Sequence, residues 1–207
     1  TEASPLVTGL RNEQDLLTVD RSRSCGQSLI GVQVKIIDNA GNELPTGEVG
    51  ELAARGPNIM KGYWNKPEQT AEVLVDGWYR SGDMGYMDDE GFVFLVDRAK
   101  DMIVSGGENV YCSEVEEALY KHPAVLEAAV FGVPDEAWGE AVHAVVVPRE
   151  KITPEELIAF CRTQIAGYKL PKAITLSDEE LPKSGPGKIL KRELREPFWK
   201  GHDRKVN

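Results

Sequence analysis

An α+β fold is predicted, on three observations. Residues 31–97 carry short alternating or apolar runs broken by glycine and proline, the pattern of a β-rich lobe. Residues 102–207 mix such runs with helix-start signals in the order β-α-β-β-α-β-α, giving a compact domain with a three-stranded sheet and helices over it. Between them lies the charged turn Asp97-Arg98-Ala99-Lys100-Asp101, and residues 98–101 read as a hinge.

Composition narrows the function classes. Hydrophobic residues are 41% and charged residues 28% of 207, ordinary for a globular chain long enough for two small domains. The net charge of −10 argues against non-specific nucleic-acid binding. The C-terminal region is locally basic (Lys183, Lys188, Lys191, Arg192, Arg195, Lys200) and could face either a polyphosphate or water. Cys25, Cys112 and Cys161 are odd in number and far apart, which fits a reducing, cytoplasmic compartment. No apolar run approaches a membrane span, and His122, His143 and His202 lack metal-ligand spacing. The chain opens on Thr1 rather than Met, as a cut piece would.

In the first lobe, residues 1–22 are polar and irregular. VQVKIID and EVGELAARG alternate around Asn39-Ala40-Gly41-Asn42 and read as neighbouring strands. Gly56-Pro57 ends the run, and PEQTAEVL is a short helix with Pro67 in its first turn. Gly77-Trp78-Tyr79-Arg80 enters a tight Ser81-Gly82-Asp83 turn, and GYM and GFVFLVDR form a hairpin around Asp88-Asp89-Glu90-Gly91.

In the second lobe, Asp101 to Ser105 is a short strand leading to a Ser105-Gly106-Gly107 loop. Ser113-Glu114-Val115-Glu116 reads as a capping box for the helix EVEEALYKH, with Tyr111, Val115 and Leu119 on one face. VLEAAVFGV and AVHAVVVP are strands. Thr153-Pro154-Glu155-Glu156 is a second capping box, for ELIAFCRTQI. AITL is a strand, LPKSGPGK a loop, and ILKREL a final helix.

Several stretches carry chemistry. Asp83 in GWYRSGDMG is a carboxylate beside a glycine, able to accept from a pair of hydroxyls or to close its own Asx-turn. SGGENVY gives a side-chain-free approach to backbone. Lys188 follows Pro186-Gly187 on a loop that can deliver an ammonium to building charge. In GEVGELAARGPNIMKGYWNKPEQT the glycines serve turns, and Tyr63 and Trp64 serve packing.

These stretches, in this order, resemble the AMP-forming acyl-CoA synthetases of the adenylate-forming ligase superfamily, which also holds peptide-synthetase adenylation domains and luciferases. Thr1-Glu2 looks like the tail of the family's tyrosine-glycine-x-threonine-glutamate loop, GWYRSGDMG is similar to WYRTGDLG, and LPKSGPGKILKREL is similar to PKTxxGKIxRxxLR. The resemblance implies that residues 1–97 are the β-rich end of a large N-terminal AMP-binding domain and 102–207 its mobile C-terminal domain. It implies nucleotide contacts by Thr1, Asp83 and Arg98, a Mg²⁺ ligand in Glu2, a pivot at Lys100 and a catalytic Lys188. Gly106, Gly107, Glu108, Trp138, Tyr168 and Lys169 would meet coenzyme A.

The implied reaction uses ATP, Mg²⁺ and CoA to convert a fatty or aryl carboxylic acid, through an acyl-adenylate, into a thioester. The family's phosphate-binding loop and acyl pocket are not found in this sequence, so the isolated chain is expected to form no adenylate. It would need the missing N-terminal portion of the same enzyme. The alternatives are a peptide-synthetase adenylation domain, disfavoured because SGGENVY has no arginine where those domains more often carry an Arg-bearing loop, and a non-catalytic nucleotide- or CoA-binding fragment, which would not need Lys188.

Overall fold

The computed structural model describes residues 1–10, 21–185 and 187–201, with Ser22 by its backbone alone. Most of the stretch read as irregular, Pro186 of the Lys188 loop, and His202 lie outside the described residues. The chain forms two compact units, Thr1–Ala99 and Lys100–Asn207.

The first unit is built on a five-stranded sheet. Strands β1 (Thr8–Gly9) and β2 (Gln27–Ser28) form a small antiparallel pair beside it. The sheet holds β3 (Gln33–Ile37), β4 (Gly50–Arg55), β5 (Leu74–Val75), β6 (Trp78–Met87) and β7 (Val93–Arg98), with helix α1 (Pro67–Val73) before β5. β6 lies at its centre, paired antiparallel with β4 along one edge and with β5 and β7 along the other. Alternation in β3 and β4 puts Ile36 and Leu52 into the core beside Val93. The β6–β7 hairpin forms where turn residues foretell it. Asp88 closes it, its carboxylate accepting from the backbone N–H groups of Glu90 and Phe92.

Two expectations for this unit are corrected. Ser81-Gly82-Asp83 is not a turn: β6 runs unbroken through it for ten residues. Those residues bulge, three of them opposite Leu52, because Arg80 pairs with Ala53 while Met84 pairs with Glu51. Pairing on both edges overrides the turn tendency of Gly82, whose φ of +72° places the distortion there. Trp64 does not pack. It is 89% exposed, next to the left-handed Asn65 that turns the chain into α1.

The second unit is also built on a five-stranded sheet, where three strands are predicted. It comprises β8 (Ile103–Ser105), β9 (Glu108–Val110), β10 (Val125–Asp135), β11 (Gly139–Pro148) and β12 (Ala173–Leu176). The helices are α2 (Cys112–Tyr120), α3 (Pro154–Cys161) and α4 (Lys191–Arg195). β11 is central, antiparallel to β10, parallel to β12, and met by the β8–β9 hairpin at Gly139. The unforeseen β9 folds back on β8 across Gly106-Gly107.

β10 and β11 read as continuous apolar runs because both faces of their sheet are covered. On one face Val130, Val142, Ala144 and Val146 pack against Val115 and Leu119 of α2 and Leu157 of α3. On the other, Phe131, Val145 and Val147 pack against Leu181, with Ile189 and Leu194 closing over them. His143 faces this second layer, its ring tilted 48° to that of Phe198 at a centroid separation of 4.7 Å, its Nε2 3.0 Å from the Thr175 hydroxyl.

α3 opens on the expected capping box, with Thr153 and Glu156 reciprocally bonded. α2 does not open at Ser113. It starts at Cys112 with Tyr111 as N-cap and no side-chain cap bond there. Glu116 is drawn elsewhere, accepting from the Val130 N–H at 2.7 Å and pairing with Lys191 at 2.7 Å. The last helix covers only Lys191–Arg195, Ile189 being spent on a bridge to Lys183.

The outer edge of β10 is met by side chains. The Tyr120 hydroxyl accepts from the Ala128 N–H and donates to the Ala128 carbonyl, Glu116 takes the Val130 N–H, and the Trp199 indole donates to the Gly132 carbonyl.

Candidate functional site

In the first unit, Thr1, Glu2 and Asp83 come together around a cleft of 280 Å³, lined also by Tyr79, Ser81, Leu52, Val93 and Cys25. The N-terminal residues reach it because Ala3 bridges Ile59 and the Met60 N–H donates to the Glu2 carbonyl oxygen. Tyr63, predicted to serve packing, donates its hydroxyl to Glu2 Oε1 at 3.1 Å. The Glu2 backbone N–H and the Tyr63 hydroxyl hold this carboxyl below its ordinary range, so it is ionised at neutral pH. Burial, followed by the charges of Glu2 and Asp83 among others, pushes the Tyr79 phenol up to about 12. The cleft thus holds two carboxylates, Glu2 with the Thr1 ammonium 3.6 Å away and Asp83 with Arg98 beside it.

Asp83 sits at the C-terminal end of the β6 bulge, opposite Arg98, the last residue of β7. Arg98 Nε is 3.7 Å from Asp83 Oδ1, and both side chains stay partly exposed at 47% and 37%. Backbone partners fix the bulge: the Asp83 N–H donates to Ser81 Oγ, Ser81 Oγ donates to the Leu52 carbonyl, and the Gly82 carbonyl accepts from Ala99. A carboxylate with free lone pairs beside a guanidinium suits a ligand bearing adjacent hydroxyls and an anion.

Among the described residues no group of three or more His, Cys, Asp or Glu could hold a metal ion. Glu2 is a lone ionised carboxylate. That fits a cation of the Mg²⁺ kind, which is held by one or two carboxylates together with water and substrate phosphates.

The remaining predicted residues lie in the second unit or at its start. Lys100 is its first residue. Lys188 is exposed, on a tight turn in which the Gly187 N–H donates to the Ser184 carbonyl and the Lys188 N–H to Ser184 Oγ. Gly106 and Gly107 form the β8–β9 turn with φ of +62° and +87°, and Glu108 follows, exposed. Trp138 lies on that turn: a Cβ at Gly106 would come within 2.4 Å of its Cε3. Trp138 is 51% exposed, with Lys172 Nζ 5.2 Å from its ring. Tyr168 is equally exposed, but Lys169 is engaged, both Glu114 oxygens lying 2.7 Å from its Nζ. Burial pulls the Lys169 ammonium down, and the Glu114 bonds outweigh it and raise it overall.

Sequence reasoning missed Glu51, Arg80 and Ser81 as supports of the bulge, and Glu127 as a support of the Lys188 turn. A strand glutamate facing an arginine on the next strand was the one available signal for Glu51.

Two family models match the chain: AMP-binding enzyme over residues 1–64 and AMP-binding enzyme C-terminal domain over residues 114–188. The chain belongs to the AMP-binding enzyme family. Over 200 residues, 96% of this chain and 40% of the relative, it is 48% identical to a feruloyl-CoA synthase of Amycolatopsis sp. Over 197 residues, 95% of this chain and 34% of the relative, it is 50% identical to a long-chain-fatty-acid–CoA ligase of Yersinia pestis. The chain thus spans only 34% to 40% of the length of these relatives. Among solved structures it resembles o-succinylbenzoate CoA synthetase of Bacillus subtilis in complex with its acyl-adenylate intermediate. That match has a TM-score of 0.85 at 36% identity and covers 93% of this chain and 39% of that one. The same enzyme is known in complex with ATP and magnesium ion. Among the described residues no helix is long and apolar enough to cross a membrane.

Proposed function

We propose that this chain works as part of an AMP-forming carboxylic acid–CoA ligase, of the fatty-acid or aryl-acid kind, and supplies one wall of its nucleotide site together with its movable catalytic domain. The observation that carries the proposal is the convergence of Thr1, Glu2 and Asp83, from opposite ends of the first unit, on one cleft with Arg98 beside Asp83. The small share of each relative that the chain spans supports a partner body carrying the acyl pocket.

In the first half-reaction a substrate carboxylate oxygen attacks the α-phosphorus of ATP. One P–O bond forms, the α–β bridge breaks, and pyrophosphate leaves. Asp83 accepts hydrogen bonds from the ribose hydroxyls, Arg98 donates to ribose or phosphate, and the Thr1 hydroxyl meets the α-phosphate. Lys188 places its ammonium where carboxylate and phosphoryl oxygens gather charge. Mg²⁺ bound at Glu2 would neutralise phosphate charge.

In the second half-reaction a CoA thiolate attacks the acyl carbonyl, the acyl–phosphate bond breaks, and AMP leaves. Rotation of the second unit about Lys100 exchanges the Lys188 turn for the Gly106-Gly107 turn, where the open backbone at Gly107 leaves room for the pantetheine arm. Glu108, Trp138, Tyr168 and Lys169 then line the route of CoA. Lys169 must share its ammonium with Glu114 to do so.

Lys188→Ala in the full-length enzyme tests the reading. Adenylate formation should fall steeply while thioester formation from supplied acyl-adenylate persists; normal rates in both would overturn it. A peptide-synthetase adenylation domain is the competing reading, and the uncharged Gly106-Gly107 turn favours CoA over it. A binder without catalysis would be indifferent to the loss of Lys188.

A further inference from the structure

We infer that Glu51 is a positioning residue for Asp83, and so a determinant of nucleotide affinity, resting on the nucleotide role proposed above for Asp83. Glu51 lies on β4, across from the bulge in β6. Its carboxylate bridges that bulge. One oxygen, Oε2, takes Arg80 Nε at 2.8 Å and Arg80 Nη2 at 2.7 Å. The other, Oε1, takes the Gly82 N–H at 2.9 Å. The side chain is only 15% exposed and that of Arg80 27%, so water competes weakly for these bonds.

The geometry gives the bonds a purpose beyond pairing two strands. Where three residues face one, backbone N–H groups lose their ladder partners. Glu51 replaces the lost partner at Gly82, the residue that takes the left-handed conformation and directly precedes Asp83. Ser81 Oγ replaces the next one, at Asp83 itself. The Gly82 carbonyl is taken by Ala99. Both backbone groups of Gly82 and the Asp83 N–H thus go to fixed partners, and the Asp83 carboxylate faces the cleft beside Arg98.

An amide at position 51 keeps the size but offers one acceptor oxygen and sets an NH₂ against either Arg80 or the Gly82 N–H. In the full-length enzyme, Glu51→Gln should raise the KM for ATP and the Kd for AMP roughly ten- to a hundredfold. The KM for the carboxylic acid should stay unchanged, and the Gly82 amide should exchange faster with deuterium in the 207-residue chain. Asp83→Ala is run alongside. If Asp83→Ala weakens nucleotide binding and Glu51→Gln does not, Glu51 is no positioning residue. If Asp83→Ala itself has no effect, it is the nucleotide reading that fails. Should Glu51→Gln not fold, Arg80→Gln loosens the same carboxylate from one side; it should raise the ATP KM by a smaller factor, and an unchanged KM overturns the inference.

Discussion

Lys183 and Glu127 form an ion pair that fastens the base of the Lys188 turn to strand β10. Glu127 accepts in addition from the Leu181 N–H at 2.9 Å, and Lys183 reaches Glu180 at 3.2 Å. The Lys183 bond and then the Leu181 bond hold the Glu127 carboxyl below its usual range. Lys183 also bridges Ile189, so the turn is tied on both sides while Gly187 and Lys188 project into solvent.

On the function proposed above, this arrangement makes Glu127 a lever on the first half-reaction alone. Glu127→Gln in the full-length enzyme should slow adenylate formation about tenfold, the loss of a charge-assisted hydrogen bond. Pyrophosphate exchange measures it. Thioester formation from supplied acyl-adenylate should be unchanged.

The glycine turn should behave in the opposite way. Gly106→Ala strains a φ of +62° and drives a methyl group into the Trp138 ring. It should cost about 1 kcal/mol of stability. Adenylate formation should survive and thioester formation should drop, and tryptophan fluorescence should report the displaced indole.

Thr153→Ala removes the capping box that opens α3. The expected loss is about 1 kcal/mol, read as a lower denaturant midpoint without a change in slope.

His143 gives the second unit a pH dependence. Burial lowers its pKa, so the unfolded chain binds a proton more readily than the folded one. Stability from this residue is complete above the unfolded value of about 6.5 and falls as the pH drops below it, by at most about 1.4 kcal/mol per pH unit. Thermal unfolding between pH 5 and 8 should show stability falling toward acid, with a slope of no more than about one proton, and His143→Gln should flatten it.

Much of this was legible locally. The Asp88 hairpin, the Thr153 cap, the β12 strand and the ordering of the motifs follow from residues near one another in sequence. What escaped is non-local or very short. β9 is three residues between a glycine pair and a helix, too brief for any period to show. Gly82 reads as a turn because its neighbours on β4 and β7 are not visible in one strand's sequence. Ser113 and Glu116 have the spacing of a cap, yet Glu116 finds Val130 and Lys191 instead. In the site, Glu51 and Glu127 act on segments 31 and 54 residues away, beyond the reach of any local pattern.

The side chains along β10 have a further consequence. An eleven-residue strand at a sheet border is a template on which another chain could add and begin an aggregate. Here Tyr120, Glu116 and Trp199 occupy the backbone groups of Ala128, Val130 and Gly132 that an incoming strand would need. The other borders offer only three residues at β9 and four at β12. The second unit thus exposes little edge on which neighbouring molecules could polymerise.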